Sequence, residues 1–234
     1  MMISTLLMSL FDTLLNWDTS ITLAINGHHC GYLDNFMMMY SGRFIWIPLY
    51  LSLFVVMIRN FPLKPVICNL LVVVILITLC DQMVSSGIRP LFYRLRPANL
   101  ENPISTLIHV VDGYRGGRYG FPSAHAANCW GAFFFASYVF RRSVLSYALA
   151  LWAVLMCWSR VYLGVHYFGD VLCGMLVGLV NASICYYLFQ HYLRKYAQPF
   201  RPKENPCRLY TPAVVCGIET LGMLIIALFT RFSF

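Results

Sequence analysis

Two histidines, an aspartate and a group of arginines fall in three short stretches: IRPLFYRLRP at 88–97, FPSAH at 121–125 and SRVYLGVHYFGD at 159–170. Guanidinium groups bind phosphate oxygens through paired hydrogen bonds and stay charged at any working pH. Arg89, Arg96 and Arg160 therefore suit a phosphoryl group, whose transfer is catalysed mainly by positioning and charge stabilisation. In FPSAH, Ser123 is a favourable helix N-cap after Pro122, and the free N–H groups of that helix start add anion donors. His166 and Asp170 stand four residues apart and, on a helix, would share a face. A carboxylate holding one ring nitrogen frees the other for nucleophilic attack, which leaves His125 as the acid that protonates the departing oxygen. This chemistry calls for no metal and no cofactor.

The elements that must carry these residues are membrane helices. The 234-residue chain is 59% hydrophobic and only 11% charged, roughly half the charged fraction of a soluble domain, and its mean hydropathy is +0.67. The expected fold is all-α: a polytopic transmembrane helical bundle of about six spans, at 37–58, 65–88, 124–140, 144–163, 168–191 and 211–231. One membrane-embedded domain over residues 1–234 is expected. Before the first span, MMISTLLMSLFDTLLNWDTS reads as an interfacial amphipathic helix with Leu6, Leu7, Leu10, Leu14 and Leu15 on one side, because it lacks the basic start of a signal peptide. The cysteines form no CxxC pair and read as small core residues. No basic run interleaved with aromatics accompanies the formal charge of +8, which argues for a bilayer and against nucleic acid as partner.

Alternating spans place the three stretches at one membrane surface. Lys64, Lys195 and Lys203, with Arg59, Arg141, Arg142, Arg194, Arg201 and Arg208, fall at the other, which the positive-inside rule makes cytoplasmic. The reactive side then faces outward and both termini share it. Arg89, Arg94, Arg96, Arg115, Arg118 and Arg160 also crowd that outer side, and an anionic substrate would explain them; Arg94 by itself reads as an interfacial residue.

The three clusters resemble the signature of the type 2 phosphatidic acid phosphatase superfamily: a basic residue, six others and Arg-Pro; Pro-Ser-Gly-His; Ser-Arg, five others, His, three others and Asp. Arg89, Arg96, Pro97, Pro122, Ser123, His125, Ser159, Arg160, His166 and Asp170 occupy matching positions. The resemblance implies that His166 attacks phosphorus to form a phosphohistidine, that Asp170 orients it, and that His125 protonates the leaving alcohol and then activates water. It implies that Arg89, Arg96, Ser123 and Arg160 hold the phosphoryl oxygens. Two departures stand out: Arg89 where the family usually has lysine, and Ala124 where it usually has glycine. The added methyl at Ala124 could narrow the phosphate cradle.

Among glycines in IHVVDGYRGGRYG, Arg115 and Arg118 could grip a second anionic group of the headgroup. With the compact chain, this resembles bacterial lipid A phosphatases, the 4′-phosphate type over the 1-phosphate type, acting in the inner membrane with the site toward the periplasm. Undecaprenyl diphosphate phosphatase is the alternative substrate reading. A non-catalytic anion transporter or lipid-binding scaffold is the alternative of another class, and it leaves the histidine pair without a use.

Overall fold

In a computed structural model, residues 2–196 and 209–230 are described. Arg201, Lys203 and Arg208 lie outside them, as do the side chains of Leu6 and Leu7. The chain runs through α1 (Met2–Gly27), α2 (Gly31–Tyr40), α3 (Ile47–Asn60), α4 (Leu63–Gln82), α5 (Arg89–Phe92), α6 (Ala124–Phe140), α7 (Ser143–Tyr162), α8 (Phe168–Tyr196) and α9 (Thr211–Phe229). Among the described residues there is no β-strand, only a bridge between Leu95 and Tyr119. The bundle is the all-α membrane architecture the hydropathy implies.

Among the described residues, four helical rods are long and apolar enough to cross a bilayer: Leu63–Phe92, Ser143–Tyr162, Phe168–Lys195 and Thr211–Phe229. The expected first span is instead a bent pair, α2 followed by Phe44–Asn60, turned by 66° at Ser41–Arg43. At 17 residues α6 is shorter than any of those four rods, and it can be short because it is the axis of the bundle, packed against α4, α7 and α8. Outward faces carry exposed Leu71, Val74, Leu151, Leu176, Val180 and Ile225, the inverse of a soluble surface.

The tightest contact is α6 against α8, and glycine makes it possible. A Cβ on Gly174 would stand 2.4 Å from the Ser123 carbonyl oxygen, and one on Gly178 would stand 2.6 Å from the Ala127 oxygen. Small residues let membrane helices approach backbone to backbone. Here they bring the start of α6 against the start of α8. Helix ends follow local rules too: Ser123 caps α6 by accepting from the Ala126 N–H at 3.4 Å, and Arg194 and Lys195 close α8 at its negative dipole end.

Leu10, Leu14 and Leu15 of α1 are exposed, together with Met8, Phe11 and Trp17. Among its described side chains, α1 is fixed to the bundle from Asp18 onward: Thr22 and Asn26 are buried, and Asn26 donates to the Tyr162 and His109 carbonyls at 2.7 and 2.9 Å.

Candidate active site

Backbone hydrogen bonds knit the three sequence clusters together before any side chain is considered. Arg96 N donates to Arg118 O at 3.1 Å and Gly120 N to Arg94 O at 2.9 Å, tying the first cluster to the approach of the second. Ala98 N reaches Gly164 O, and Ser123 N reaches Asp170 O, both at 2.9 Å, tying both to the third. A π-helical turn, Met83–Ile88, then delivers Arg89 at the top of the α4 rod, the kind of irregularity often found beside functional residues. Gly164, at φ +67°, turns the chain from α7 toward His166. It has no room for a side chain, since a Cβ would meet Ile108 at 2.3 Å.

Arg89, Arg96, Arg160, Ser123, His166 and Asp170 come together, as the sequence predicts. Arg89 Nη2 donates to the Pro122 carbonyl at 3.1 Å, and Arg160 Nη2 to the Tyr114 hydroxyl at 3.0 Å. Arg96 Nη1 donates to Val165 O at 2.8 Å and lies 3.0 Å from His166 Nε2. In all three arginines the Nε is buried with no hydrogen-bond partner. Buried donors are almost always satisfied, so three unsatisfied guanidinium donors around one imidazole mark a place for an anion.

His166 and Asp170 meet by another route than the shared helix face expected. His166 lies in the turn before α8, and Asp170 in its first turn. Asp170 Oδ2 accepts the Tyr167 N–H at 2.9 Å, which folds the turn back so that His166 Nδ1 stands 3.5 Å from the same oxygen. That is an ion-pair separation, not a closed hydrogen bond, and Nδ1 has no other partner. Gly120 seals the pair from above: a Cβ there would sit 3.0 Å from Asp170 Oδ2 and 3.5 Å from Nδ1.

Electrostatics follow from burial and the arginines. His166 is 1% exposed. Loss of water, then the charges of Arg96, Arg160 and Arg89, hold its pKa well below the ordinary imidazole value. It is neutral at physiological pH, with a lone pair on Nε2. Arg96 is itself brought down to about 10 by burial and by repulsion from Arg160 and Arg89. The cluster repels itself, and a bound dianion relieves that repulsion.

His125 opens onto a different environment. It lies within the field of Arg160, His166, Arg43 and Arg96. With Ala124, Arg43, Asp81, Gln82 and Asn128 it lines one end of a cavity of about 780 Å³. From there the cavity follows α6 to Val139 and Phe140, roughly 24 Å of helix, between α3, α4 and α7 with mostly apolar lining. The Ala124 methyl thus belongs to the wall of this cavity, beside His125.

Several residues stand where the sequence alone did not put them. Arg115 Nη1 donates to the Ala98 carbonyl at 2.7 Å, bracing the loop, and Arg118 pairs with exposed Glu101 at 2.7 Å. Arg94, read from the sequence as an interfacial residue, bridges Asp170 and Asp18 at 2.8 and 2.6 Å. Arg43 was missed as a cavity residue. Its only sequence signal is a lone cation in SGRFIWIP, at the bend between α2 and α3.

The chain is also similar to known proteins. The family model described as the PAP2 superfamily matches residues 67–194. A protein of Bacteroides thetaiotaomicron named lipid A 4′-phosphatase is 38% identical over 217 residues, covering 89% of this chain and 94% of its own length. One of Porphyromonas gingivalis with the same name is 31% identical over 180 residues, covering 76% of this chain and 75% of its own. The crystal structure of Aquifex aeolicus LpxE superposes with a TM-score of 0.53 at 23% identity, covering 71% of this chain and 93% of that one, a likeness of fold.

Proposed function

We propose that this chain, which belongs to the PAP2 superfamily, is a metal-independent phosphatase that removes the 4′-phosphate of lipid A and works as one membrane-embedded domain. The observation that carries the reading is His166 Nε2 lying 3.0 Å from Arg96 within a ring of buried, unpartnered guanidinium donors. The relatives named lipid A 4′-phosphatase supply the substrate class, and the apolar cavity beginning at His125 offers room for a lipid tail.

In the resting site Arg96 covers the Nε2 lone pair. A phosphate monoester entering the hollow takes the donors of Arg89, Arg96 and Arg160 and the start of α6 at Ser123, which uncovers Nε2. Its lone pair then forms the N–P bond as the P–O bond to the sugar breaks. Asp170 stabilises the positive charge this places on the ring. His125, as imidazolium beside the bound dianion, gives its proton to the leaving oxygen, then takes one from a water whose oxygen attacks phosphorus as the N–P bond breaks, releasing inorganic phosphate and restoring neutral His166 and protonated His125. A second phosphate of the headgroup is met by Arg118, exposed beside the hollow and able to exchange Glu101 for it, with Arg115 bracing the same loop.

The protein lies in a bacterial inner membrane with the site toward the periplasm and the exposed apolar residues of α1 in the interface. Lys64 and Lys195, at the end of the bundle away from the site, support that orientation. The test is phosphate release from purified lipid A in detergent containing EDTA. Release is expected from the wild-type chain and, for His166→Ala, a fall on the order of 10⁴-fold or more, as for removal of a nucleophile elsewhere. Dependence on added metal, or normal turnover by a folded His166→Ala variant, would overturn the mechanism.

A further inference from the structure

Arg94 lies between Arg89 and Arg96 in sequence, yet its guanidinium is taken up by two carboxylates. Its Nη1 donates to Asp170 Oδ1 at 2.8 Å and its Nη2 to Asp18 Oδ2 at 2.6 Å. Its guanidinium plane rests on Tyr167, with Cζ 3.8 Å from the ring centroid. Asp18 belongs to α1, outside all three motif clusters. Its other oxygen, Oδ1, accepts the Gly169 N–H at 2.7 Å, and one turn on, Thr22 Oγ1 accepts the Phe168 N–H at 3.1 Å. A helix start leaves its first N–H groups unsatisfied. Here α1 supplies their acceptors from across the fold.

From this arrangement we infer that Asp18 and Arg94 form a clamp that positions the His166–Asp170 pair, making α1 a working part of the active site. The inference rests on the reading of His166 as nucleophile. Arg94 fixes Oδ1 of Asp170, and the Tyr167 N–H fixes Oδ2, so the carboxylate plane cannot rotate away from Nδ1. Asp18 has a second effect. By drawing part of Arg94's charge to itself, it leaves Asp170 enough negative charge to stabilise the cationic ring once Nε2 is bonded to phosphorus. A guanidinium is the group that can do this, because its rigid fork holds two carboxylates at once. Asp18 and Arg94 are positioning residues; neither touches the phosphoryl group.

The test uses the full chain in detergent with lipid A as probe. Arg94→Gln is expected to lower kcat by ~10- to 100-fold, the scale of lost supporting contacts around a reactive group, with KM unchanged. Asp18→Asn keeps an acceptor for the Gly169 N–H but loses the charge, and is expected to lower kcat by a few-fold. Arg94→Lys, which can reach one carboxylate but not both, should fall between Arg94→Gln and wild type. Because Asp18 acts through Arg94, the double variant should be no worse than Arg94→Gln alone.

A readout independent of activity is the ¹⁵N spectrum of the His166 ring. Because Arg96 holds the Nε2 lone pair, the proton stays on Nδ1 in every form, and Arg94→Gln and Asp18→Asn should each shift the Nδ1–H signal toward that of an imidazole with no carboxylate beside it. If Arg94→Gln fails to fold, Asp18→Asn and Arg94→Lys carry the same measurements. Unchanged kcat with an unchanged ring spectrum would overturn the clamp, as would losses confined to KM or losses that multiply in the double variant. A wild-type chain inert toward lipid A would instead defeat the phosphatase reading, and the ring spectrum would still decide the clamp.

Discussion

The two histidines sit in opposite kinds of wall. On the side of α8, His166 is 1% exposed, Asp170 and Ser123 are 0% and Arg160 is 3%; Ser123 N–H donates to the Asp170 carbonyl across the glycine-packed contact of α6 and α8, while Arg96 lies on His166 and Arg160 donates to Tyr114. On the side of α3 and α4, His125 is partly exposed and borders an apolar cavity. The difference fits the two tasks proposed for them. A nucleophile gains from being held still and dry, because no reorganisation is then needed when charge develops. An acid that must later collect a water proton, beside a leaving group attached to a lipid, needs an open approach. Preorganisation is concentrated on one wall and access on the other.

The sharpest way to break this contrast is to push the rigid wall apart. Replacing Gly178 with leucine puts atoms where the Ala127 oxygen and Gly131 N now sit, 2.6 and 2.7 Å from the added Cβ. Overpacking of that severity should cost more than about 3 kcal/mol, seen as loss of the folded monodisperse species in detergent. A folded, active Gly178→Leu variant would show the wall to be looser than described. Filling the open wall should act differently. Ala132→Trp projects into the cavity between α6, α3 and α4. It is expected to lower kcat/KM for lipid A about tenfold, while hydrolysis of a short water-soluble phosphate ester changes less than twofold. Equal losses on both substrates would mean that the cavity holds no tail.

The buried wall also has a pH signature. His166 stays neutral when folded, whereas the unfolded chain takes up its proton below pH ~6.5. The unfolded state binds more protons there, so stability falls as pH drops. The loss reaches at most about 1.4 kcal/mol per pH unit until the folded-state pKa is passed. Above pH ~6.5 this residue contributes no pH dependence. Melting curves between pH 7.5 and 5 should therefore be steeper for wild type than for His166→Gln, and equal slopes would remove His166 as the cause. The smallest effect belongs to the rim. Arg118→Gln breaks an exposed pair that solvent screens. It should leave the melting temperature within error and raise KM a few-fold only for substrates with two phosphates.

Much of the candidate site was legible in the chain. Arg89, Arg96, Ser123, His125, Arg160, His166 and Asp170 are recognisable because their chemistry resides in side-chain type and local spacing. The details failed where spacing was read through an assumed element. His166 and Asp170 are four apart, but a turn joins them, since the Tyr167 N–H is captured by Asp170 before α8 begins. The first span is bent at Ser41–Arg43, which a hydropathy window averages over.

Arg94 makes the boundary plain. A guanidinium in a basic stretch looks alike whether it snorkels, binds substrate or supports a carboxylate. Its partners, Asp18 and Asp170, are each 76 residues away, in opposite directions along the chain. The sequence by itself determined that the chain crosses a membrane and which residues can handle a phosphoryl group, because hydrophobicity and functional-group chemistry are properties of single residues and short runs. Only the tertiary structure decided which arginines surround His166, which brace a backbone and which hold Asp170, because the direction of a long charged side chain is set by the groups that packing places around it.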